Sequence, residues 1–398
     1  MSSQHAVLIT FGDTLPPRQD LMLRALRGQG WQTTVITWDR EGKGRASGNS
    51  DGDRQWLAVR LRASSLGSPK LLFKLPRYYY RLLQLIARLE APDLFILTHF
   101  FHLPLVFLLP GRKIYDSIEM YALGLSYHFG PFSRFMLPVL ETMEGLMTQK
   151  TAGVTVIDSK DGWLEKHFRR WNQHVQVIWN VPAKDDDPAP EAIRSLTEQY
   201  QLRKVIACIG GLAKDQGLSV VLQAAAQVTA RHPDAWFLFV GEMKDDWQEI
   251  NHTIKSYGLE NNIQFVGWVS YKTLLAHLQH ARMGLAAHQP EHFYPFIAAA
   301  NSRKTFTYMQ AGIPMIGPNF GGAGILCDRE RCGILVDTTD AAEIARAIIY
   351  LLDHPGVARD LGTNGRQAFL EKYNWENEEQ KFLQFLQQAQ TAAEHRQR

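Results

Sequence analysis

Two segments of this sequence bring cations to the start of a helical pattern, where anions are bound. Gly210-Gly211-Leu212-Ala213-Lys214-Asp215-Gln216-Gly217 follows an apolar, β-branched run and precedes a helical pattern. At such a strand-to-helix turn the backbone amides can cradle a diphosphate, with Lys214 adding charge. The same glycines equally suit a tight turn that needs them for backbone reasons alone. Asn301-Ser302-Arg303-Lys304 opens a second helical stretch that ends at Gly312, ahead of Pro314. Two cations and a hydroxyl at a helix start make either an anion site or a solvated basic loop. Gly241, Gly267 and the pair Gly321-Gly322 also stand just past strand-like runs and offer bare amides. Glycine after a strand is routine, yet five such turns at corresponding strand ends form a pattern. Asp116 and Glu119 lie just past another strand, where they could hold a sugar hydroxyl or do acid–base work, and helix capping by Asp116 is the plainer reading. His99 and His102 flank an apolar run and read as structural.

The elements that must position these residues alternate. Residues 6–10 are continuously apolar and end at Phe11-Gly12, residues 18–28 have a helical pattern, and residues 31–38 are β-branched. Strands buried on both faces and alternating with helices imply a parallel sheet. Further strands fit residues 94–98, 113–115 and 154–157, while residues 41–54, rich in Gly, Ser and charge, read as a loop. After Asn180-Val181-Pro182 and the charged residues 184–190 a second series begins. Its strands are residues 205–209, 235–240, 263–266, 284–287, 314–317 and 334–336, with late helices at 341–352 and 377–390. The reading is an α/β chain of two doubly wound halves, and sheets of this kind bind ligands at the carboxyl ends of their strands.

Composition narrows the class further. The chain has 398 residues, 45% of them hydrophobic, and 43 Lys+Arg against 40 Asp+Glu. A net charge of +3 is too mild to argue for nucleic acid. The three cysteines lack nearby histidines at zinc spacing, so neither a disulfide framework nor a zinc site is expected, and a reducing compartment fits. Neither a signal peptide nor a bilayer-length apolar run is visible, so a cytoplasmic protein is the expectation. Residues 70–88, KLLFKLPRYYYRLLQLIAR, alternate basic with apolar or aromatic positions. That pattern suits either an anionic membrane surface or, with Pro76 interrupting it, an ordinary amphipathic helix pair.

In this order, the turns resemble the retaining GT-B glycosyltransferases of family four. Ile178-Trp179-Asn180-Val181-Pro182 is similar to that family's interdomain junction, and residues 210–217 to its phosphate loop. Phe239-Val240-Gly241 and Phe265-Val266-Gly267 resemble its nucleotide-side turns. Lys304…Tyr308-Met309-Gln310-Ala311-Gly312-Ile313-Pro314 resembles its donor helix, followed by Gly321-Gly322…Gly333-Ile334-Leu335-Val336. Pro17-Arg18, Tyr115-Asp116…Glu119 and Val156-Ile157-Asp158-Ser159 agree more loosely. The departures fall on functional positions. Gly211 stands for the loop arginine, Gln216 for its lysine, Ala299 and Thr307 for two glutamates, and Ile118 for a histidine.

The resemblance implies a GT-B fold, two Rossmann-like domains facing across a cleft. The expected domains are residues 1–182 on the acceptor side and 183–376 for the donor, with a last helix over 377–398 packing back on the first. It implies transfer of a sugar from a nucleotide-sugar to a glycan or glycolipid with retention of configuration, and no metal or other cofactor. Lys214, Arg303 and Lys304 are the cations expected to replace those lost and to stabilise the departing diphosphate. Lys214 and Lys304, with Asp116 and Glu119 beside the acceptor, form the expected catalytic set. Gly12, Gly210, Gly211, Gln216, Gly241, Gly267, Arg303, Thr307, Gly321 and Gly322 form the expected nucleotide-sugar site. Residues 70–88 leave peripheral contact with the inner face of a membrane open, beside the plainer reading of an ordinary helix pair. The alternative is a catalytically impaired GT-B protein that serves another glycosyltransferase as a binding partner.

Overall fold

The computed structural model describes residues 4–12, 15–40, 54–63, 69–157, 162–290 and 303–397. They fall into two compact units. The first runs to Trp179 and takes up the chain again from Glu378, and the second is Asn180–Asn377.

In the first unit β1 (His5–Ile9) is apolar from Ala6 on, where its side chains are fully buried, and strands flank it on both sides. Its neighbours are β2 (Gln32–Asp39) and β4 (Leu94–Leu97). The sheet is completed by β3 (Arg54–Arg60), β5 (Arg112–Ser117), β6 (Gly153–Val156) and β7 (Val175–Val177), in the order β3-β2-β1-β4-β5-β6-β7. The second unit has β8 (Lys204–Ile209), β9 (Ala235–Val240), β10 (Ile263–Gly267), β11 (Ala281–Leu285), β12 (Met315–Pro318) and β13 (Gly333–Val336). Their order is β10-β9-β8-β11-β12-β13. The strand pairings of both sheets are parallel. These are the two doubly wound α/β halves expected, and each winds outward from a central pair, β1/β4 and β8/β11. A crevice opens at the carboxyl end of such a pair, where the chain leaves in opposite directions.

Local differences from the sequence reading have simple causes. Arg54 opens β3 rather than closing a loop, and the edge strand of three residues, β7, carries too little pattern to be seen. Residues 41–53 of the expected loop lie outside the described residues. Residues 70–88 form a 3₁₀ turn, Pro69–Lys74, and a single helix, Leu75–Ile86. Pro76 is tolerated in its first turn, where no helical hydrogen bond is lost. Tyr78, Leu82 and Ile86 are buried at a four-residue spacing. Residues 100–107 form another 3₁₀ helix, Phe100–Phe107.

The last helix, Trp375–Gln397, is anchored at two points of the first unit. Glu378 accepts the Trp179 amide at 2.9 Å, and the Phe385 ring fills the space beside Gly153, where a β-carbon would lie 2.6 Å from it. The junction is held in turn by the second unit. The Trp375 amide donates to Pro182 O at 2.9 Å, and Gln310 Nε2 donates to Ala183 O at 3.1 Å. Among the described residues no helix is long and apolar enough to cross a membrane.

Candidate functional site

In the second unit the turns after β8 and β9 are zipped together. Gly210 donates to Val240 O, Leu212 to Glu242 O, and Lys244 to Leu212 O, each at 2.9 Å. The approach is so close that a β-carbon on Gly241 would lie 1.8 Å from Gly210 O, and Gly241 has φ +150°. A β-carbon on Gly217, at φ +76°, would lie 2.1 Å from Ala287 O. Glycine is therefore required here by backbone contact, which also brings the loops after β8, β9 and β11 to one place. Gly267 has φ +79° with open space around it, so there the turn alone selects glycine.

Cations approach this loop from two sides. Lys304, in the first turn of the helix Arg303–Ala311, donates to Gln216 Oε1 at 2.7 Å. It lines a pocket of about 20 Å³ with Cys208, Gly211 and Gln216, room for little more than one water. Burial lowers its pKa to about 8, and the positive charge of Lys244 pushes the same way. Gln216, in place of the expected lysine, thus holds a lysine that comes from another element. Lys244 was not expected from the sequence. A β-carbon on Gly211 would lie 3.3 Å from Lys244 Cε and 3.4 Å from its Nζ. A lone lysine four residues past a strand gives little warning. The parallel pairing of β8 with β9 was the one signal that could have placed it here.

Other expected residues are placed differently. Lys214 is exposed and ion-paired with Glu249 at 3.1 Å, so its charge is directed to the surface. The Arg303 guanidinium lies over the Tyr271 ring, 4.7 Å from its centre. Thr307 is buried, and its hydroxyl donates to Arg303 O at 2.8 Å and lies 3.2 Å from the Tyr271 hydroxyl. It therefore braces its own helix. Gly321 (φ +66°) and Gly322 open the helix Gly321–Glu330, which has no side-chain cap, so its first-turn amides point outward as an anion site would need. Asn301, Ser302 and Ala299 lie outside the described residues.

The corresponding crevice of the first unit is filled. Past β1 and β4, Phe11 stacks on His99 with ring centres 4.5 Å apart. Trp38, Tyr78, His102 and Tyr121 close around them. Burial lowers His99 to about 3 and His102 well below its ordinary value, so both are uncharged at neutral pH. Gly12 belongs to this wall, accepting the Trp38 amide at 3.1 Å. It is in the other unit from the glycine turns with which the sequence grouped it.

Asp116 caps no helix. It sits in β5 at 0% exposure, accepts Arg18 Nη2 at 2.8 Å and Thr155 Oγ1 at 2.8 Å, and is wholly engaged. Arg18 also donates to Ile178 O, tying the first helix, β5 and the chain before the junction together. A carboxylate so enclosed cannot meet a substrate hydroxyl. Glu119, by contrast, reaches the surface, and partial desolvation raises its pKa. Of the two expected carboxylates, Glu119 is the one whose side chain reaches solvent.

Comparison with known proteins bears on the family and the fold. Residues 191–368 fit the family described as Glycosyl transferases group 1. The 2-deoxystreptamine N-acetyl-D-glucosaminyltransferase of Niallia circulans is 25% identical over 171 residues, 43% of this chain. The match spans 42% of that relative, less than half its length. A GDP-mannose-dependent alpha-(1-6)-phosphatidylinositol monomannoside mannosyltransferase of Mycobacterium tuberculosis is 24% identical over 292 residues, 71% of this chain and 73% of that protein. Among solved structures, sucrose-phosphate synthase from Thermosynechococcus elongatus superposes with a TM-score of 0.77 at 19% identity, covering 98% of this chain and 100% of that one. Residues 191–368 of the second unit are thus similar to the group 1 glycosyl transferases, and the chain as a whole has a GT-B fold.

Proposed function

We propose that this protein transfers a sugar from a nucleotide-sugar donor to a glycan or glycolipid, with retention of configuration. The donor diphosphate would lie at the carboxyl ends of β8 and β11. One contrast carries the reading: of two sheets with the same winding, the first has its crevice closed by aromatic rings and neutral histidines. The second has glycine backbone, Lys304 and Lys244 in the same place. Catalysis would rest on stabilising the departing diphosphate by these charges and by the amides at Gly210, Gly211, Gly321 and Gly322. The lysines supply positive charge of the kind a metal ion would otherwise provide, so the reading expects no metal requirement. Glu119 is the carboxylate offered to the acceptor.

The test is to incubate the full chain with UDP-, GDP-, ADP- and TDP-sugars and candidate acceptors, with and without a chelator. Sugar release or transfer, with the product anomer read by NMR, is expected to survive chelation and to preserve the anomeric configuration. A partner role in another transferase is the second reading, favoured by Thr307 and Lys214 being spent on structural bonds. Absence of any turnover, together with copurification of an active transferase, would select it.

A membrane-borne acceptor fits the surface of residues 69–86. Leu72, Phe73 and Tyr80 are exposed there, Phe73 at 84%, among Lys70, Lys74, Arg77 and Arg81 with no acidic residue between. On this reading the protein works at the cytoplasmic face of a membrane.

A further inference from the structure

The loop after β8 has glycines at both positions nearest the crevice, 210 and 211. Each is overlain by a lysine from a different element. A β-carbon on Gly210 would lie 2.8 Å from Lys304 Cε, and one on Gly211 would lie 3.3 Å from Lys244 Cε. Neither lysine is placed by chance. Lys304 is fixed by its helix and by Gln216. Lys244 is fixed at the backbone, where its amide donates to Leu212 O and its neighbour Met243 bridges Leu212.

The two differ from Lys214 in what they pair with. Lys214 pairs with Glu249 on the exposed surface, away from the glycines. Lys304 bonds a neutral amide and has the Asp215 carboxylate near it, and among the described residues no carboxylate is ion-paired with Lys244. Two like charges that converge beside a single carboxylate repel and keep a net positive charge, and such an arrangement gains most from a ligand with two or more negative charges. Glycine at 211 lets Lys244 lie this close; with a β-carbon there the lysine would have to give way by a few tenths of an ångström.

Resting on the reading of the second unit as a nucleotide-sugar site, we infer that Lys244 and Lys304 together grip the donor diphosphate. Lys244 supplies from the β9 turn the charge that the β8 loop lacks at Gly211, and Lys214 takes no part. The donor site is thus assembled from two elements, and the cation has moved from one to the other.

Titration calorimetry on the full chain with UDP, GDP, ADP and TDP, and with the monophosphate of whichever binds, tests this. Lys244→Ala is expected to weaken the diphosphate about tenfold or more and the monophosphate less, since one charge-assisted contact is lost. Lys244→Arg should keep most of the affinity, and Lys214→Ala should bind as the unaltered chain does. Lys244 is exposed, so an unchanged unfolding temperature will show that the variant folds. If the unaltered chain binds a diphosphate and Lys244→Ala binds it equally well, the assignment of Lys244 is overturned while the nucleotide site stands. If Lys214→Ala is the variant that loses affinity, the assignment is likewise overturned. If the unaltered chain binds none of the four, the nucleotide site fails and the assignment falls with it.

Discussion

Arg18 and Asp116 stand 98 residues apart in sequence and form an enclosed ion pair, at 2% and 0% exposure. Removing one partner of such a pair strands the other charge away from water. Asp116→Ala should therefore cost about 3–5 kcal/mol of stability, read as a lowered urea midpoint. A change under about 1 kcal/mol would return Asp116 to the list of functional candidates. Lys304 makes a different prediction, in pH. With its pKa lowered to about 8, it carries its charge below that value and loses it above. An anion binds the charged form, so diphosphate affinity should fall as pH rises from about 7 to about 9.5, and Lys304→Arg should flatten the profile because arginine stays charged throughout. A flat profile for the unaltered chain would remove Lys304 from the site. At this scale the sequence was only partly legible. Lys304 stood out because it opens a helix, and Lys214 because it lies in the glycine loop. Charge at a position says nothing about which partner will take it, and Glu249 took Lys214. Asp116 misled for the same reason, since its partner is remote in the chain.

The elements were the most legible part, because strands buried on both faces must be continuously apolar and glycine marks their ends. The turns after β8, β9 and β10, and the Gly321-Gly322 pair, were all foreseen as glycine positions. The structure supplies the reason for some of them. Gly241 permits the β9 turn to touch the β8 turn, where a β-carbon would stand 1.8 Å from Gly210 O. Gly241→Ala should thus separate the two turns, lowering stability by about 3 kcal/mol or more and carrying Lys244 away from the loop. Thermal unfolding beside nucleotide titration checks both effects, and an alanine variant of full stability would show that the contact is dispensable. What the elements hid was mostly short or at an edge: β7 has three residues, and β3 emerges from a charged stretch. Nor does the sequence show that Phe385, from the far end of the chain, fills the space beside Gly153.

Over the whole molecule, two sheets share one winding yet have different crevices, and this asymmetry was not legible in the sequence. It depends on side chains that arrive from several strands and helices, such as Phe11, Trp38, Tyr78 and His99 in the first unit. Family resemblance supplied the architecture, while packing decided which crevice is lined with rings and which with glycine and cations. The first unit adds a surface prediction. The basic, aromatic face of residues 69–86 should bind vesicles containing anionic lipid and release them as salt rises, each nearby cation contributing about 1 kcal/mol. Phe73→Asp with Lys74→Glu should abolish cosedimentation, and equal binding to neutral and anionic vesicles would contradict an electrostatic surface. The central claim, that the second unit holds the diphosphate of a nucleotide, is tested most directly by calorimetric titration of the unaltered chain with nucleoside diphosphates in the presence of a chelator. The account predicts one base bound at micromolar strength, about −8 kcal/mol, without metal. No heat with any of them would contradict it.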